Sequence, residues 1–267
     1  MSIHPLLEIM ISAAVQAGRA IDEIYRGEFQ VGQKADTSPV TAADHASEAI
    51  ILERLAREAP GVPVVAEEEV AAGRVPSVGR EFFLVDPLDG TKEFVARRGE
   101  FTVNVALVRD GRPVLGVVYA PASSVLFAGD VEQRTAFRSP QEPSRDVSSE
   151  REAIHVRPVP ERGLTVVASR SHSNPETEAY LAALPVADRV SIGSSLKFCL
   201  VASGQADFYP RLGPTMEWDT AAGHAVLEAA GGMVLAPDGS PLGYGKPQFR
   251  NTAFLATGVY KPPSPAA

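Results

Sequence analysis

Between Leu6 and Tyr25 the apolar residues Leu6, Leu7, Met10, Ile11, Ala14, Gly18, Ile21 and Tyr25 recur at helical spacing, with Glu8, Gln16, Arg19, Glu23 and Arg26 on the opposite side. The spacing predicts an amphipathic first helix. Further on, Thr41 stands before Ala42-Ala43-Asp44, which resembles a capping box with Asp in the third place. Helical periodicity then runs to about Ala59, where Pro60-Gly61 ends it. Val62–Ala66 and Phe82–Val85 are short apolar runs between polar or turn residues, the pattern of strands buried on both faces, and each ends in acid. Thr102–Val108, Val114–Tyr119 and Ser124–Ala128 follow, separated by Asp110-Gly111-Arg112-Pro113 and Pro121-Ala122-Ser123, as in an antiparallel meander.

The stretch from Ser139 to Glu152 holds two prolines, four serines and six charged residues with almost no apolar periodicity. It is the expected lobe boundary, with residues 1–145 forming an N-terminal lobe and 146–267 a C-terminal one. In the second lobe Thr165–Ala168 reads as a strand, Asn174-Pro175 as a helix start, Leu196–Ala202 as a short helix, and Asp219–Ala230 as a longer helix halted by Gly231-Gly232. The class is therefore mixed α/β, with helices against a strand-rich sheet followed by alternating strands and helices.

Composition adds exclusions. The 45% hydrophobic and 22% charged content of the 267-residue chain is that of an ordinary globular protein. A net charge of -8 with scattered Lys and Arg disfavours a nucleic-acid polymer as partner, while a small nucleotide stays open. Cys199 is the only cysteine, so intramolecular disulfides and four-thiolate zinc sites are excluded. No basic-then-apolar leader opens the chain and no run of about 18 apolar residues occurs, so the expectation is a cytoplasmic enzyme without a transmembrane segment.

Chemistry concentrates in Asp86-Pro87-Leu88-Asp89-Gly90-Thr91. Pro87 fixes its own φ and holds Asp86 extended, so a sharp turn is expected between the two acids, turning both carboxylates to one point. Gly90 permits close approach of a ligand to the backbone, and the N–H groups of Gly90 and Thr91 would open a helix, where a phosphate is favoured. Carboxylates for cations beside amides for an anion describe a metal-phosphate site, and hard oxygen ligands suit magnesium. Turn and cap roles for Asp86 and Asp89 are the plainer alternative. Two further acidic clusters weigh against it: Glu67-Glu68-Glu69, of which Glu67 lies nearest its strand, and Asp219 after Trp218, whose own plain reading is a helix cap.

At these residues the chain resembles the inositol monophosphatase-like superfamily of lithium-sensitive, magnesium-dependent phosphatases. The resemblance rests on Asp86-Pro87-Leu88-Asp89-Gly90-Thr91 and the later Trp218-Asp219-Thr220-Ala221-Ala222-Gly223, and it extends over nearly the whole length. It implies a layered αβαβα sandwich of two closely packed lobes. Asp86–Phe94, Gly99–Asn104, Ser169–His172, Gly193–Cys199 and Tyr209–Arg211 resemble the bisphosphate-nucleotidase branch in particular. That branch implies adenosine 3',5'-bisphosphate as substrate, with the sulfated adenosine 3'-phosphate 5'-phosphosulfate as a second one.

By this resemblance two to three Mg2+ ions are expected. Glu67, Asp86 and the carbonyl of Leu88 would hold the first, Asp86, Asp89 and Asp219 the second, and Glu67 would orient waters on a weaker third. Asp44 and Thr91 would position and deprotonate the attacking water. Glu67, Asp89, Gly90, Thr91 and Asp219 would also face the substrate, whose nucleotide end is assigned to His172, Ser194, Lys197 and Arg211. Asp36, Ser38 and Thr41 resemble the loop that precedes the family's second helix, and the resemblance implies contact of Lys34 with the third metal's waters; all four are left out of the expected site. Cys199, Leu196 and Leu200 are expected in the core and Trp218 beneath the metals. One departure is Gly129–Phe137, which stands where many inositol phosphatases carry a glycine-rich turn. Inositol monophosphate or fructose 1,6-bisphosphate as substrate, and a non-catalytic nucleotide sensor, are the competing readings; monomer and homodimer are both open.

Overall fold

A computed structural model describes residues 3–33, 39–169 and 174–265. Helix α1 (Pro5–Arg26) starts at a His4 side chain that accepts from the Leu6 amide, with Pro5 pre-set for the first turn. Strand β1 (Val31–Gln33) pairs antiparallel with β2 (Pro39–Thr41), which leads into α2 (Ala42–Glu58), where the expected capping box is formed: Thr41 caps, and Asp44 reaches back to the Thr41 amide. There follow β3 (Val64–Ala66), α3 (Glu67–Ala71), β4 (Glu81–Asp89), α4 (Thr91–Val95), β5 (Thr102–Arg109), β6 (Arg112–Ala120), β7 (Val125–Asp130), β8 (Thr135–Pro140) and β9 (Glu152–Ala153). The remainder comprises β10 (Leu164–Ser169), α5 (Pro175–Ala182), β11 (Val186–Ile192), α6 (Leu196–Ala202), β12 (Phe208–Arg211), β13 (Thr215–Met216), α7 (Ala221–Ala229), β14 (Met233–Leu235), β15 (Arg250–Asn251) and β16 (Phe254–Thr257).

Strands β3 to β9 form one sheet in chain order, antiparallel except for the β3–β4 pair. Its last strand lies beyond residue 145, because the polar stretch loops out and returns to pair with β8. Gly129–Phe137 is the hairpin joining β7 to β8. Neither β8 nor β9 shows in the apolar pattern, since both lie toward the sheet edge and carry Arg138, Ser139 and Glu152. A second, five-stranded sheet has the order β11-β10-β12-β16-β14.

Alternation along β4 and β5 explains the layering. Phe82, Leu84, Ala106 and Val108 enter the core shared with α6 and α7, whereas Phe83, Val85, Val105 and Leu107 enter the core beneath α1 and α2. The second sheet covers the far side of α6 and α7, and α5 closes its outer face through Leu181 against Leu164, Val166, Phe208 and Leu255. The result is the expected αβαβα sandwich. Helix α7 lies unusually close to the large sheet because Gly116 and Gly129 face each other across β6 and β7. A Cβ on Gly116 would stand 2.4 Å from the Ala222 carbonyl oxygen, and one on Gly129 would stand 2.7 Å from Val226 Cα. That approach carries the front end of α7, and Asp219 before it, toward the end of β4.

Candidate active site

In the β4–β5 ladder Asp86 faces Asn104 and Asp89 faces Thr102, so three steps along one strand answer two along the other. This is a β-bulge. Carboxylates three residues apart on a regular strand point to opposite sides; the extra residue brings both onto the side of Phe82 and Leu84, toward α6 and α7. The turn expected between the acids is therefore corrected: the chain stays in the ladder through Asp89. Pro87, which has no N–H to give, sits in the bulge, its carbonyl accepts from Ser47 Oγ at 2.7 Å, and the Leu88 amide donates to Asp86 Oδ1 at 3.0 Å. The turn comes one residue later, at Gly90, with φ at 96°. A Cβ there would stand 2.9 Å from the Glu100 carbonyl oxygen, so both the backbone angle and the space demand glycine.

Glu67-Glu68-Glu69 forms the first turn of α3 and not a solvated loop. Acids suit that end of a helix, and Glu48 on α2 adds another, its Oε2 accepting from the Glu68 amide at 2.8 Å. Burial pushes the Glu48 carboxyl up to about 7, against the pull of that amide, and the charges of Glu68 and Glu69 add to the rise. Glu69 points outward, held by Arg74 at 2.6 Å, while Glu67 and Glu68 line the cavity described below.

From the other lobe, Asp219 precedes α7, whose N-cap is Thr220, so the capping alternative does not apply to its side chain. Its Oδ2 accepts from the Met216 amide at 3.0 Å and from the Thr215 hydroxyl. Ser195, at the start of α6, places its hydroxyl 3.0 Å from Asp89 Oδ2 and 2.8 Å from the Asp219 carbonyl oxygen, and accepts from Asn104 Nδ2 at 2.9 Å. Lys197 is buried, donates to the Ser194 carbonyl at 2.6 Å, and lies over the Tyr209 ring at 5.4 Å. Ser194 itself holds φ at 54° ahead of the helix, and its carbonyl joins it to Lys197. Burial, reinforced by the charge of Asp219, pushes the Asp89 carboxyl up to about 6, with Lys197, Ser195 and Asn104 pulling it back. Burial likewise lowers the Lys197 ammonium to about 8, against the pull of Asp89.

These elements enclose a cavity of about 720 Å³ whose wall includes Glu67, Asp86, Leu88, Asp89, Gly90, Thr91, Ser194, Lys197, Arg211 and Asp219. Asp44 stands behind that wall: Thr91 Oγ1 donates either to Asp44 Oδ1 or to the Leu88 carbonyl, both at 3.2 Å. Asp44 Oδ2 is engaged by the Thr41 amide and hydroxyl. Arg211 is tied by Nη2 to the Pro214 carbonyl at 2.9 Å. His172, with Lys34, Asp36 and Ser38, lies outside the described residues. Trp218 is buried and contributes to the cavity wall, Leu196 is buried with Leu200 packed beside it, and burial pushes the Cys199 thiol up, so it is a core residue.

Sequence reasoning missed Asn104 and Ser195, and also His45, Lys92, Glu93 and Tyr209 in the wall. Asn104, Ser195, Lys92, Glu93 and Tyr209 lie inside the motif segments quoted above, which was the available signal. Among the described residues the wall carries the carboxylates of Glu67, Glu68, Asp86, Asp89, Glu93 and Asp219 against Lys92, Lys197 and Arg211. Also among the described residues, no three acidic, histidine or cysteine side chains already stand close enough to enclose a metal ion.

A model of the inositol monophosphatase family matches residues 2–261. The 3'(2'),5'-bisphosphate nucleotidase CysQ of Salmonella typhimurium is 46% identical over 255 residues, covering 94% of this chain and 99% of its own length. That of Escherichia coli is 46% identical over 252 residues, covering 93% and 98%. The crystal structure of CysQ from Bacteroides thetaiotaomicron, described as a bacterial member of the same family, superposes with a TM-score of 0.81 at 38% identity, covering 96% of this chain and 98% of the other. An inositol monophosphatase from Anabaena superposes with a TM-score of 0.73 at 30% identity, covering 94% and 90%.

Proposed function

This chain belongs to the inositol monophosphatase family, and on that premise we propose that it is a 3'(2'),5'-bisphosphate nucleotidase that releases the 3'-phosphate of adenosine 3',5'-bisphosphate, leaving AMP. Adenosine 3'-phosphate 5'-phosphosulfate is a second substrate of the same site. The observation that carries the reading is the convergence of the bulged acid pair Asp86 and Asp89 with Asp219, Lys197 and Arg211 around one cavity.

The family is metal-dependent, and the donor set of this chain fits a hard cation. Six carboxylates against three cationic side chains make a wall that repels a phosphate ester unless cations intervene. We assign two to three Mg2+ ions to Glu67, Asp86, Asp89, Asp219 and the Leu88 carbonyl. When bound, magnesium supplies positive charge that lowers the pKa of water and stabilises phosphoryl oxygens. Thr91 donates a hydrogen bond to Asp44, which leaves the threonine oxygen lone pairs for the attacking water; as that water attacks, its proton passes to the threonine oxygen while the threonine's own passes to Asp44. Asp44 is held for that role by Thr41 at its other oxygen. The rigid Gly90 turn presents Thr91 at the mouth of the bulge.

Lys197 and Arg211 stand on the second sheet's side of the cavity, where they meet the 5'-phosphate and the ribose, with Ser194 beside them. The nucleotide is thus handled across two lobes, with the boundary after β9 rather than at residue 145, because β9 still pairs with β8. A cytoplasmic location belongs to this proposal, since the single cysteine is buried and no disulfide depends on an oxidising compartment. Phosphate release from a panel of adenosine 3',5'-bisphosphate, inositol 1-phosphate and fructose 1,6-bisphosphate under Mg2+ tests it. Faster turnover of an inositol or sugar phosphate than of the nucleotide would overturn the substrate; nucleotide binding without turnover would make the chain a sensor.

A further inference from the structure

A serine that opens a helix ordinarily turns its hydroxyl onto the helix's own free amides. Ser195 opens α6 and makes no such cap. It is 1% exposed, and its hydroxyl is spent elsewhere: Asp89 Oδ2 lies at 3.0 Å and the Asp219 carbonyl oxygen at 2.8 Å. With one proton to give, the hydroxyl donates to one acceptor at a time, and the charged carboxylate forms the stronger bond. Its lone pairs are addressed by Asn104 Nδ2 at 2.9 Å, and the same amide group reaches Asp89 Oδ2 at 3.4 Å.

Asn104 is itself costly where it stands. It is fully buried on a strand whose neighbours on that side, Ala106 and Val108, are apolar, and its Oδ1 has no hydrogen-bond partner among the described residues. A buried unpaired acceptor is destabilising, a penalty that an apolar residue of similar size would avoid. The Nδ2 contacts are what the cost supports. Asp89 and Asp219 come from different sheets' surroundings and carry like charges, so each tends to swing away from the other. One hydroxyl touches both segments.

We propose that Ser195, supported by Asn104, is a positioning residue that fixes the Asp89 carboxylate relative to the Asp219 segment and so presets the cation site between the lobes. The inference rests on the metal-phosphatase reading of this cavity. It concerns geometry ahead of metal binding, so it has a readout apart from turnover.

The test compares wild type, Ser195→Ala, Ser195→Thr, Asn104→Leu and the double variant Ser195→Ala/Asn104→Leu. Mg2+ binding is measured by calorimetry without substrate, and kcat and KM for adenosine 3',5'-bisphosphate are measured across a Mg2+ titration, with circular dichroism to confirm folding. Residues that orient metal ligands typically cost about 10- to 100-fold in affinity or activity when removed. Ser195→Ala is expected to weaken Mg2+ binding about tenfold or more, to raise the Mg2+ needed for half-maximal activity equally, and to leave the nucleotide KM at saturating Mg2+ within about twofold. Ser195→Thr restores binding; Asn104→Leu shows a smaller loss of the same kind, and the double variant is no worse than Ser195→Ala. Wild-type Mg2+ affinity in Ser195→Ala, or a Ser195→Thr variant as impaired as the alanine one, overturns the proposal. Should Ser195→Ala fail to fold, unchanged Mg2+ affinity in Asn104→Leu overturns it. A wild-type protein that binds Mg2+ without hydrolysing the nucleotide removes the substrate assignment and leaves the calorimetry to decide on Ser195; a wild type that binds no Mg2+ removes both.

Discussion

Glu217 is the most telling residue to remove outside the cavity. It is fully buried, and its carboxylate clamps the loop that returns to β15: Oε2 accepts from the Gly245 amide at 2.8 Å, Oε1 from the Lys246 amide at 2.9 Å and from Lys246 Nζ at 3.3 Å. Through that loop Asn251 pairs with Thr215, and Thr215 and Met216 in turn donate to Asp219. Glu217→Ala leaves two backbone amides without their acceptor, while the Lys246 ammonium keeps Asn251 Oδ1 and the Gly243 carbonyl. Two lost amide bonds to a buried carboxylate, at about 1.5–3 kcal/mol each, cost about 3–5 kcal/mol together, a large part of the roughly 5–15 kcal/mol that holds a domain together. For a chain of this size that lowers Tm by roughly 10 °C. Urea unfolding of metal-free protein measures it, with fluorescence of the single tryptophan, Trp218, as a probe adjacent to the change. Lys246→Met removes the ammonium with its contacts to Glu217, Asn251 Oδ1 and the Gly243 carbonyl but keeps both amide bonds, and with the lysine one-third exposed it should cost less than Glu217→Ala. A Glu217→Ala variant within about 1 kcal/mol of wild type would refute the clamp, and equal damage from Lys246→Met would place the stabilisation in the ion pair instead.

Asp89→Asn should abolish Mg2+-dependent phosphate release while circular dichroism stays unchanged; near wild-type turnover in a folded variant removes Asp89 from the metal set. Lys197→Ala should raise the nucleotide KM and spare hydrolysis of a small sugar phosphate, read from steady-state kinetics on both substrates. Gly116→Ala would press a Cβ to 2.4 Å from the Ala222 carbonyl oxygen and force α7 off the sheet, at a cost of about 1–3 kcal/mol in urea unfolding and with lower turnover, because Asp219 leads into that helix. For Glu48, burial raises the folded-state pKa to about 7, so its contribution to stability is fully present below about 4.5 and is lost as pH rises through 7. Glu48→Gln should therefore flatten the fall in stability between pH 5 and 8 by up to about 3 kcal/mol, and parallel pH profiles for variant and wild type would contradict this.

The long helices and the doubly buried strands were legible because α1 repeats its apolar stripe over five turns and Phe82–Val85 is apolar on both faces. The bulge was not, since nothing in Asp86-Pro87-Leu88-Asp89 marks which residue is extra; a proline between acids reads equally well as a turn. Strands β8, β9 and β11 escaped because edge positions keep polar side chains, and β11 is exposed along nearly its whole length. Nothing in the spacing singled out Ser195 beside Ser194, or Asn104 within the Thr102–Val108 strand. Their meeting with Asp89 depends on two lobes closing over α6, which spacing along one chain does not encode. Glu217 was hidden for the same reason: its partners lie about 30 residues later in a Gly- and Pro-rich loop.

The most direct measurement is release of inorganic phosphate from adenosine 3',5'-bisphosphate by the purified chain, with Mg2+ and after its removal by chelation. Rapid formation of AMP and phosphate with Mg2+, loss of that activity on chelation and its return when Mg2+ is restored are the expected results. Undiminished turnover after chelation, or no turnover of this nucleotide alongside rapid turnover of inositol 1-phosphate, would contradict it.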